Sequence, residues 1–307
     1  MNAAPAEPLA LTAQSLRDWP LPAPDAGGDK EARGQVLVVA GSREMPGAAL
    51  LAARAALRAG AGKLSMAVPQ CIAQGLALQM PEARVIALPE TAEGGLAAGG
   101  AQELAAVAGK ASAVLVGPGM QDAAATCAFV AAALPLCAQA TVVLDALAMD
   151  IVRADRRFTQ PVVLTPHAGE MAGLLDIPKD EILAAPARHA LAAARRWQAV
   201  VALKGATTCI AAADGRAWQH SCTVPGLGTS GSGDVLAGAL AGLAAQGVPA
   251  EQAAAWAVAA HAQAGSRLAR RHGTLGYLAS EICDALPAAL HRLAQHPRGN
   301  AVCRTHA

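Results

Sequence analysis

Short, unbroken apolar runs recur along the chain. Each is followed by a glycine-bearing or polar turn and then by an alanine- and leucine-rich stretch at helical spacing. Residues 35–40, Gln-Val-Leu-Val-Val-Ala, are the first such run. Continuous apolar character over so few residues fits a strand buried on both faces of a parallel sheet. The same reading predicts strands over 63–69, 81–88, 113–119 and 141–145, a run from 161 that ends in His167 and Glu170, and a strand over 199–205. Helices are predicted over 48–58, 101–108, 126–134, 171–175, 181–197 with an interruption at Pro186, 235–247, 249–271 and 278–293. Asp214-Gly215 is a hairpin signal between 206–211 and 217–220. Strands that alternate with helices imply a mostly parallel α/β sheet covered on both faces, here with a small antiparallel edge. The pattern divides into an N-terminal leader over 1–25, partly ordered, one domain over 26–295 and a C-terminal tail over 296–307.

Composition narrows the classes. The chain has 307 residues, is 54% hydrophobic and only 15% charged, and carries a net charge of +1. A large packed core follows, whereas a polyanionic partner or an anionic membrane surface does not. One Tyr, two Phe and four Trp offer little to stack nucleic-acid bases on. The seven cysteines include no C-x-x-C pair, which speaks against a disulfide framework or a zinc site and for a reducing cytoplasm. No signal-peptide pattern is read over 1–25, and no apolar run reaches membrane-spanning length. No His/Cys cluster has metal-ligand spacing, so no protein metal site is expected, and any metal is Mg²⁺ carried mainly by phosphate.

The richest chemistry lies in residues 224–238, where four glycines fall within the eight residues 226–233 before an apolar helix begins. A glycine loop feeding a helix N-terminus presents unpaired N–H groups and partial positive charge, a ready anion site. Asp234 stands at the junction. It reads two ways: as the helix N-cap, or as a general base beside a bound phosphate. Several predicted strands end in comparable turns. These are Gly41 to Gly47, Gly117-Pro-Gly119, Asp145, and Thr165-Pro-His-Ala-Gly-Glu170. Ligands in open α/β sheets lie beyond such carboxyl ends. Glu170 is a candidate N-terminal acid of its helix, and Asp145 a second-rank holder of Mg²⁺ or the loop. His261, inside an alanine-rich helix, reads as a packed residue before a ligand.

These motifs stand in a fixed order: Val39-Ala-Gly-Ser42 with Pro46-Gly-Ala48, Val116-Gly-Pro-Gly119, Leu164-Thr-Pro-His-Ala-Gly-Glu170, Leu203-Lys-Gly-Ala-Thr-Thr208 and Gly228-Thr-Ser-Gly-Ser-Gly-Asp234. Over roughly residues 30–290 they resemble the ADP-dependent NAD(P)H-hydrate dehydratases, a branch of the ribokinase-like fold. The Gly-x-Gly-Asp turn marks only the wider kinase superfamily. The Thr-Pro-His run, with Leu57-Arg-Ala-Gly-Ala-Gly62, is more specific. The resemblance implies a ribokinase-like three-layer α/β/α sandwich. It also implies removal of water from NADH or NADPH hydrate at the expense of ADP (ATP in relatives), with Mg²⁺. By resemblance, Asp234 is the catalytic base and touches the hydrate, and Gly231, Ser232 and Gly233 form the anion hole. Lys204, Gly205, Ala206, Thr207 and Thr208, with Gly233, bind the nucleotide. Ala48, Gly119 and His167 contact the hydrate.

Two departures accompany the resemblance. Leu147 stands where the family often has a second Asp after the central strand. The epimerase domain fused to many members has no counterpart in residues 1–30, so an epimerase is expected as a separate protein. A homo-oligomer is expected as well. Two other readings stay open: a vitamin or sugar kinase of the same fold, and a non-catalytic nucleotide sensor. A Rossmann dehydrogenase would need a proper G-x-G-x-x-G fingerprint after the first strand, and the loop there, Gly41 to Gly47, does not match it.

Overall fold

In the computed structural model, residues 7–23, 27–154 and 157–295 are described. The expected tail, 296–307, lies outside them. Ten strands form one sheet: β1 (Leu9–Ala10), β2 (Gln35–Val39), β3 (Lys63–Pro69), β4 (Ala83–Leu88), β5 (Ala113–Val116), β6 (Thr141–Leu144), β7 (Val162–Leu164), β8 (Val200–Leu203), β9 (Thr207–Ala211) and β10 (Ala217–Ser221). Their order across the sheet is β1-β10-β9-β8-β7-β6-β5-β2-β3-β4. From β4 to β8 all pairings are parallel, and β9 is antiparallel to both neighbours. The chain runs outward from β2 through β4, then returns to place β5 on the other side of β2. Such a reversal opens a crevice at the carboxyl ends of β2 and β5.

The helices are α1 (Ala13–Arg17), α2 (Pro46–Arg58), α3 (Gln70–Gln79), α4 (Ala105–Ala108), α5 (Ala123–Ala133), α6 (Ala168–Leu175), α7 (Lys179–Ala184), α8 (Pro186–Trp197), α9 (Ser232–Ala245), α10 (Ala250–His272) and α11 (Ala279–Ala294). Strand alternation sorts them into two layers. Val36 and Val38 of β2 join a core with α2, α9, α10 and α11, whereas Leu37 and Val39 join one with α5, α6 and α8. Pro186 starts α8 at its first position, where its missing N–H costs nothing, so the predicted interruption is a helix boundary.

The α2–α9 contact has a clear sequence basis. A Cβ at Gly238 would fall 2.2 Å from the Ala52 carbonyl oxygen, and one at Gly242 would fall 2.3 Å from that of Ala56. Glycines one turn apart let two helix backbones touch, and this brings the start of α9 beside the start of α2.

Some elements differ from the predicted ones. α3 was not expected; its Gly75 and glutamines at both ends blur the helical period. Residues 146–154, also unread, wind as a 3-10 turn. The strand expected over 113–119 stops at Val116, because Gly117 and Gly119 take φ of +129° and +65° and turn the chain away. In the N-terminal segment, β1 pairs with β10, and Trp19 stacks on Trp218 at 5.3 Å between ring centroids. No helix among the described residues is long and apolar enough to cross a membrane.

Candidate active site

Gly231 occupies the N-cap of α9 with φ of +85°, a conformation that favours glycine. No side chain caps the helix. Ser232 N donates to Thr229 O and Val235 N to Gly231 O, whereas the N–H groups of Gly233 and Asp234 have no acceptor among the described residues. Asp234 is therefore not the N-cap, the first of its two sequence readings. It is the third residue of the helix, beside two free amide donors.

Three strand ends converge on the same point. Asp145, just after β6, is buried and accepts hydrogen bonds from Thr165 Oγ1 at 2.5 Å and Lys204 Nζ at 3.0 Å. Lys204, just after β8, is tied to the end of β7 by its N–H donating to Pro166 O at 2.7 Å. Its ammonium also stands 3.8 Å from Glu170 Oε2. A Cβ built on Gly233 would lie 3.5 Å from the same Nζ, so this cation faces the start of α9.

His167 caps α6. Its Nδ1 accepts the N–H of Gly169 at 3.0 Å and of Glu170 at 3.1 Å, while Glu170 Oε2 accepts the His167 N–H at 2.7 Å. With Nδ1 an acceptor, Nε2 carries the ring proton of the neutral side chain. Glu170 closes this capping box and faces Lys204, which exceeds the helix-end role its position suggested.

The charges interact through a partly dry site. Desolvation raises the Asp234 carboxyl to about 6; the Asp145 charge adds to the rise, and Lys204 opposes it. Burial alone would lower Lys204, but Asp145, Glu170 and Asp234 outweigh it and raise its pKa. Burial also pushes His261 down to about 4, with Lys204 acting the same way, so its imidazole is neutral.

A cavity of about 680 Å³ opens beside this cluster: Lys204 and His261 line it, whereas Asp145, Glu170 and Asp234 do not. Of the expected residues, His167, Lys204, Gly205, Ala206, Thr208, Ser232 and Gly233 line it. Thr207 does not; it alternates to the other side of β9, where its hydroxyl pairs with Ser221 at 2.9 Å. Gly231 stands back as the helix cap. Ala48 and Gly119 meet at the crevice between β2 and β5, where a Cβ at Gly119 would lie 2.6 Å from the Ala48 Cβ. The two regions adjoin, because a Cβ at Gly231 would lie 2.5 Å from Leu51 of α2. Sequence reasoning left out Thr165 and gave His261 only a packing role. His261, too, lines the cavity and contacts Ser232. One polar residue in an alanine-rich helix was the available signal.

A family model described as NAD(P)H-hydrate dehydratase matches residues 36–288. The chain belongs to the NAD(P)H-hydrate dehydratase family. An ADP-dependent (S)-NAD(P)H-hydrate dehydratase of Xanthomonas campestris is 50% identical over 94% of this chain and 97% of its own length. A bifunctional NAD(P)H-hydrate repair enzyme of Moorella thermoacetica is 40% identical over 92% of this chain, which spans 54% of that longer protein. Among solved structures, the ADP/ATP-dependent NAD(P)H-hydrate dehydratase of Bacillus subtilis, co-crystallized with ATP and Mg²⁺, superposes with a TM-score of 0.80. It shares 30% identity, and the match covers 94% of this chain and 99% of that one.

As a member of the NAD(P)H-hydrate dehydratase family, the chain has the ribokinase-like α/β/α fold, with the antiparallel edge formed by β9 and β10. The cavity suits a nucleotide: it joins a lysine, free helix N–H groups and the apolar side chains of Leu236 and Val258. No group of three His, Cys, Asp or Glu among the described residues has the arrangement to hold a metal ion. A hard cation at such a site takes its oxygens mainly from phosphate and water; Asp145 is buried and engaged by Thr165 and Lys204.

Proposed function

We propose that this protein is an ADP-dependent (S)-NAD(P)H-hydrate dehydratase, which returns damaged nicotinamide cofactor to its reduced form. The observation that carries the reading is the junction of two features. A carboxylate raised to about 6 stands on the first turn of an uncapped helix, and that turn opens on a nucleotide-sized cavity.

The hydrate's nicotinamide ring lies in the β2–β5 crevice against Ala48 and Gly119, with His167 Nε2–H across from it. The nucleotide lies along Lys204, Gly205, Ala206 and Thr208, its terminal phosphoryl at the start of α9. Asp234 takes the proton of the ring hydroxyl as that oxygen attacks the terminal phosphoryl of ADP and AMP departs. The N–H groups of Gly233 and Asp234, with Ser232, hold the negative charge of the transferring group, and Gly231 sets their direction. The phosphorylated carbon then loses phosphate. Electrons from the ring nitrogen expel it, the neighbouring ring carbon gives up a proton so that its C–H electrons restore the double bond, and ADP and hydrate have become AMP, phosphate, NAD(P)H and a proton. Mg²⁺ borne by the phosphates supplies charge neutralisation. A base near 6 is mostly ionised at neutral pH yet still basic enough to accept the proton.

Further proposals accompany this one. One catalytic domain over 26–295 is supported by the run β2 to β10 in a single sheet, to which β1 of the N-terminal segment adds an edge strand. A cytoplasmic site is supported by free thiols at Cys71, Cys127, Cys137, Cys209, Cys222 and Cys283. A homo-oligomer is supported by exposed Leu275 and Leu278 on one short connection. A separate epimerase is supported by the near full-length match to the Xanthomonas dehydratase.

The test is recovery of reduced-nicotinamide absorbance from prepared NADH hydrate, with Mg²⁺ and either ADP or ATP. Absorbance that returns only with nucleotide agrees with the proposal. A stable phosphorylated product without absorbance would point to a kinase instead.

A further inference from the structure

His261 projects from α10 onto the first residue of α9. Its Nε2 lies 3.0 Å from Ser232 Oγ and 3.1 Å from Ser232 O. A carbonyl oxygen only accepts, so the contact requires a proton on Nε2. A protonated Nε2 cannot in turn accept from the serine hydroxyl. Ser232 Oγ therefore receives a share of the Nε2 proton, and its own O–H is left to donate elsewhere. Ser232 is buried, and both it and His261 line the cavity. Among the described residues the hydroxyl contacts His261 alone, so its own proton is open to the cavity, beside the free N–H groups of α9.

We infer that His261 is a positioning residue for the phosphoryl-transfer step: its Nε2–H fixes the first turn of α9 and turns the Ser232 hydroxyl into a donor aimed at the transferring phosphoryl group. The inference rests on the dehydratase reading above. The neutral imidazole agrees with it: burial and Lys204 disfavour a cation there and outweigh the hydrogen bond to Ser232 O, which favours one. A cation would add positive charge beside Lys204, whereas the neutral ring supplies direction without charge. Gln at this position keeps a side-chain N–H at similar reach. Asn is one methylene shorter, and Leu has no donor.

The experiment compares wild type, His261→Leu, His261→Gln, His261→Asn, Ser232→Ala and the double variant Ser232→Ala/His261→Leu. Each is assayed for return of NADH absorbance from the hydrate with ADP and Mg²⁺. His261→Leu is expected to lower kcat by about 100-fold with little change in KM for the hydrate, and His261→Gln to recover most of the loss. In the Ser232→Ala background, His261→Leu should add little, because the group it orients is already gone. A wild-type kcat in His261→Leu would overturn the inference, as would an equal loss in both backgrounds. Should the Leu variant fail to fold, the Gln and Asn variants carry the test, and equal kcat in those two overturns it. A wild-type control without turnover, in contrast, counts against the dehydratase reading itself and takes the inference down with it.

Discussion

Asp234 concentrates the site's chemistry in one carboxyl group, and its perturbed pKa gives two expectations of opposite sense. Activity requires the carboxylate, so kcat should rise with pH along an acid limb near about 6. Replacement by Asn should lower kcat by about 100- to 10,000-fold while the protein still folds. Stability runs the other way. The folded-state pKa is raised, so between the ordinary carboxyl value of 3.8 and about 6 the folded protein holds more proton than the unfolded one. This group's contribution therefore declines as pH rises through that window, and above it the full penalty for a desolvated charge remains. Asp234→Asn should raise stability at neutral pH by on the order of 2 kcal/mol, with the gain gone below the window. Melting curves at several pH values check this. Lys204 opposes the rise in Asp234, so Lys204→Met should move the acid limb to higher pH. It should also cost about 3 kcal/mol by leaving buried Asp145 unpaired. The acid and the glycine loop were legible because type and spacing alone declare an anion site. The Asp145–Lys204 contact was not, since its partners are 59 residues apart and meet only through the sheet.

At the scale of elements, the position of the site depends on how closely α9 approaches α2. Gly238→Val or Gly242→Val would drive a side chain into the Ala52 or Ala56 carbonyl, and each should destabilise by about 1–3 kcal/mol. Such a variant should also lose activity faster than stability, because a shift of α9 moves Asp234 away from the phosphoryl position. Urea unfolding and kcat measured on the same samples separate the two effects. The parallel strands were legible as short apolar runs, and Asp214-Gly215 announced the β9–β10 hairpin correctly. α3 and the 3-10 turns were not legible, because short elements with glycine or mixed polarity carry no clear period. Their form is imposed by packing against the strands they follow.

At the scale of the molecule, the sheet order places the crevice between β2 and β5 and gathers the ends of β6, β7 and β8 beside it. Mostly parallel architecture could be read from alternating elements, but strand order could not, since neighbours in a sheet leave no local mark. The N-terminal segment illustrates the same limit. Its residues read as a leader, yet β1 extends the sheet, and the Trp19 carbonyl accepts N–H groups from Trp256 at 2.8 Å and Gln252 at 3.0 Å. Trp19→Ala keeps that carbonyl but removes the stacking on Trp218, so it should lower stability by about 1–3 kcal/mol, read from the shift in the urea midpoint, and leave the hydrate KM unchanged. The central claim is that the ring oxygen of the hydrate is phosphorylated before it leaves, and an isotope decides it. NADH hydrate carrying a heavy oxygen isotope in its ring hydroxyl would be turned over with unlabelled ADP, and the released phosphate examined by mass spectrometry. The account predicts the heavy atom in inorganic phosphate, one for each NADH formed. Heavy oxygen in water, with unlabelled phosphate, would contradict it.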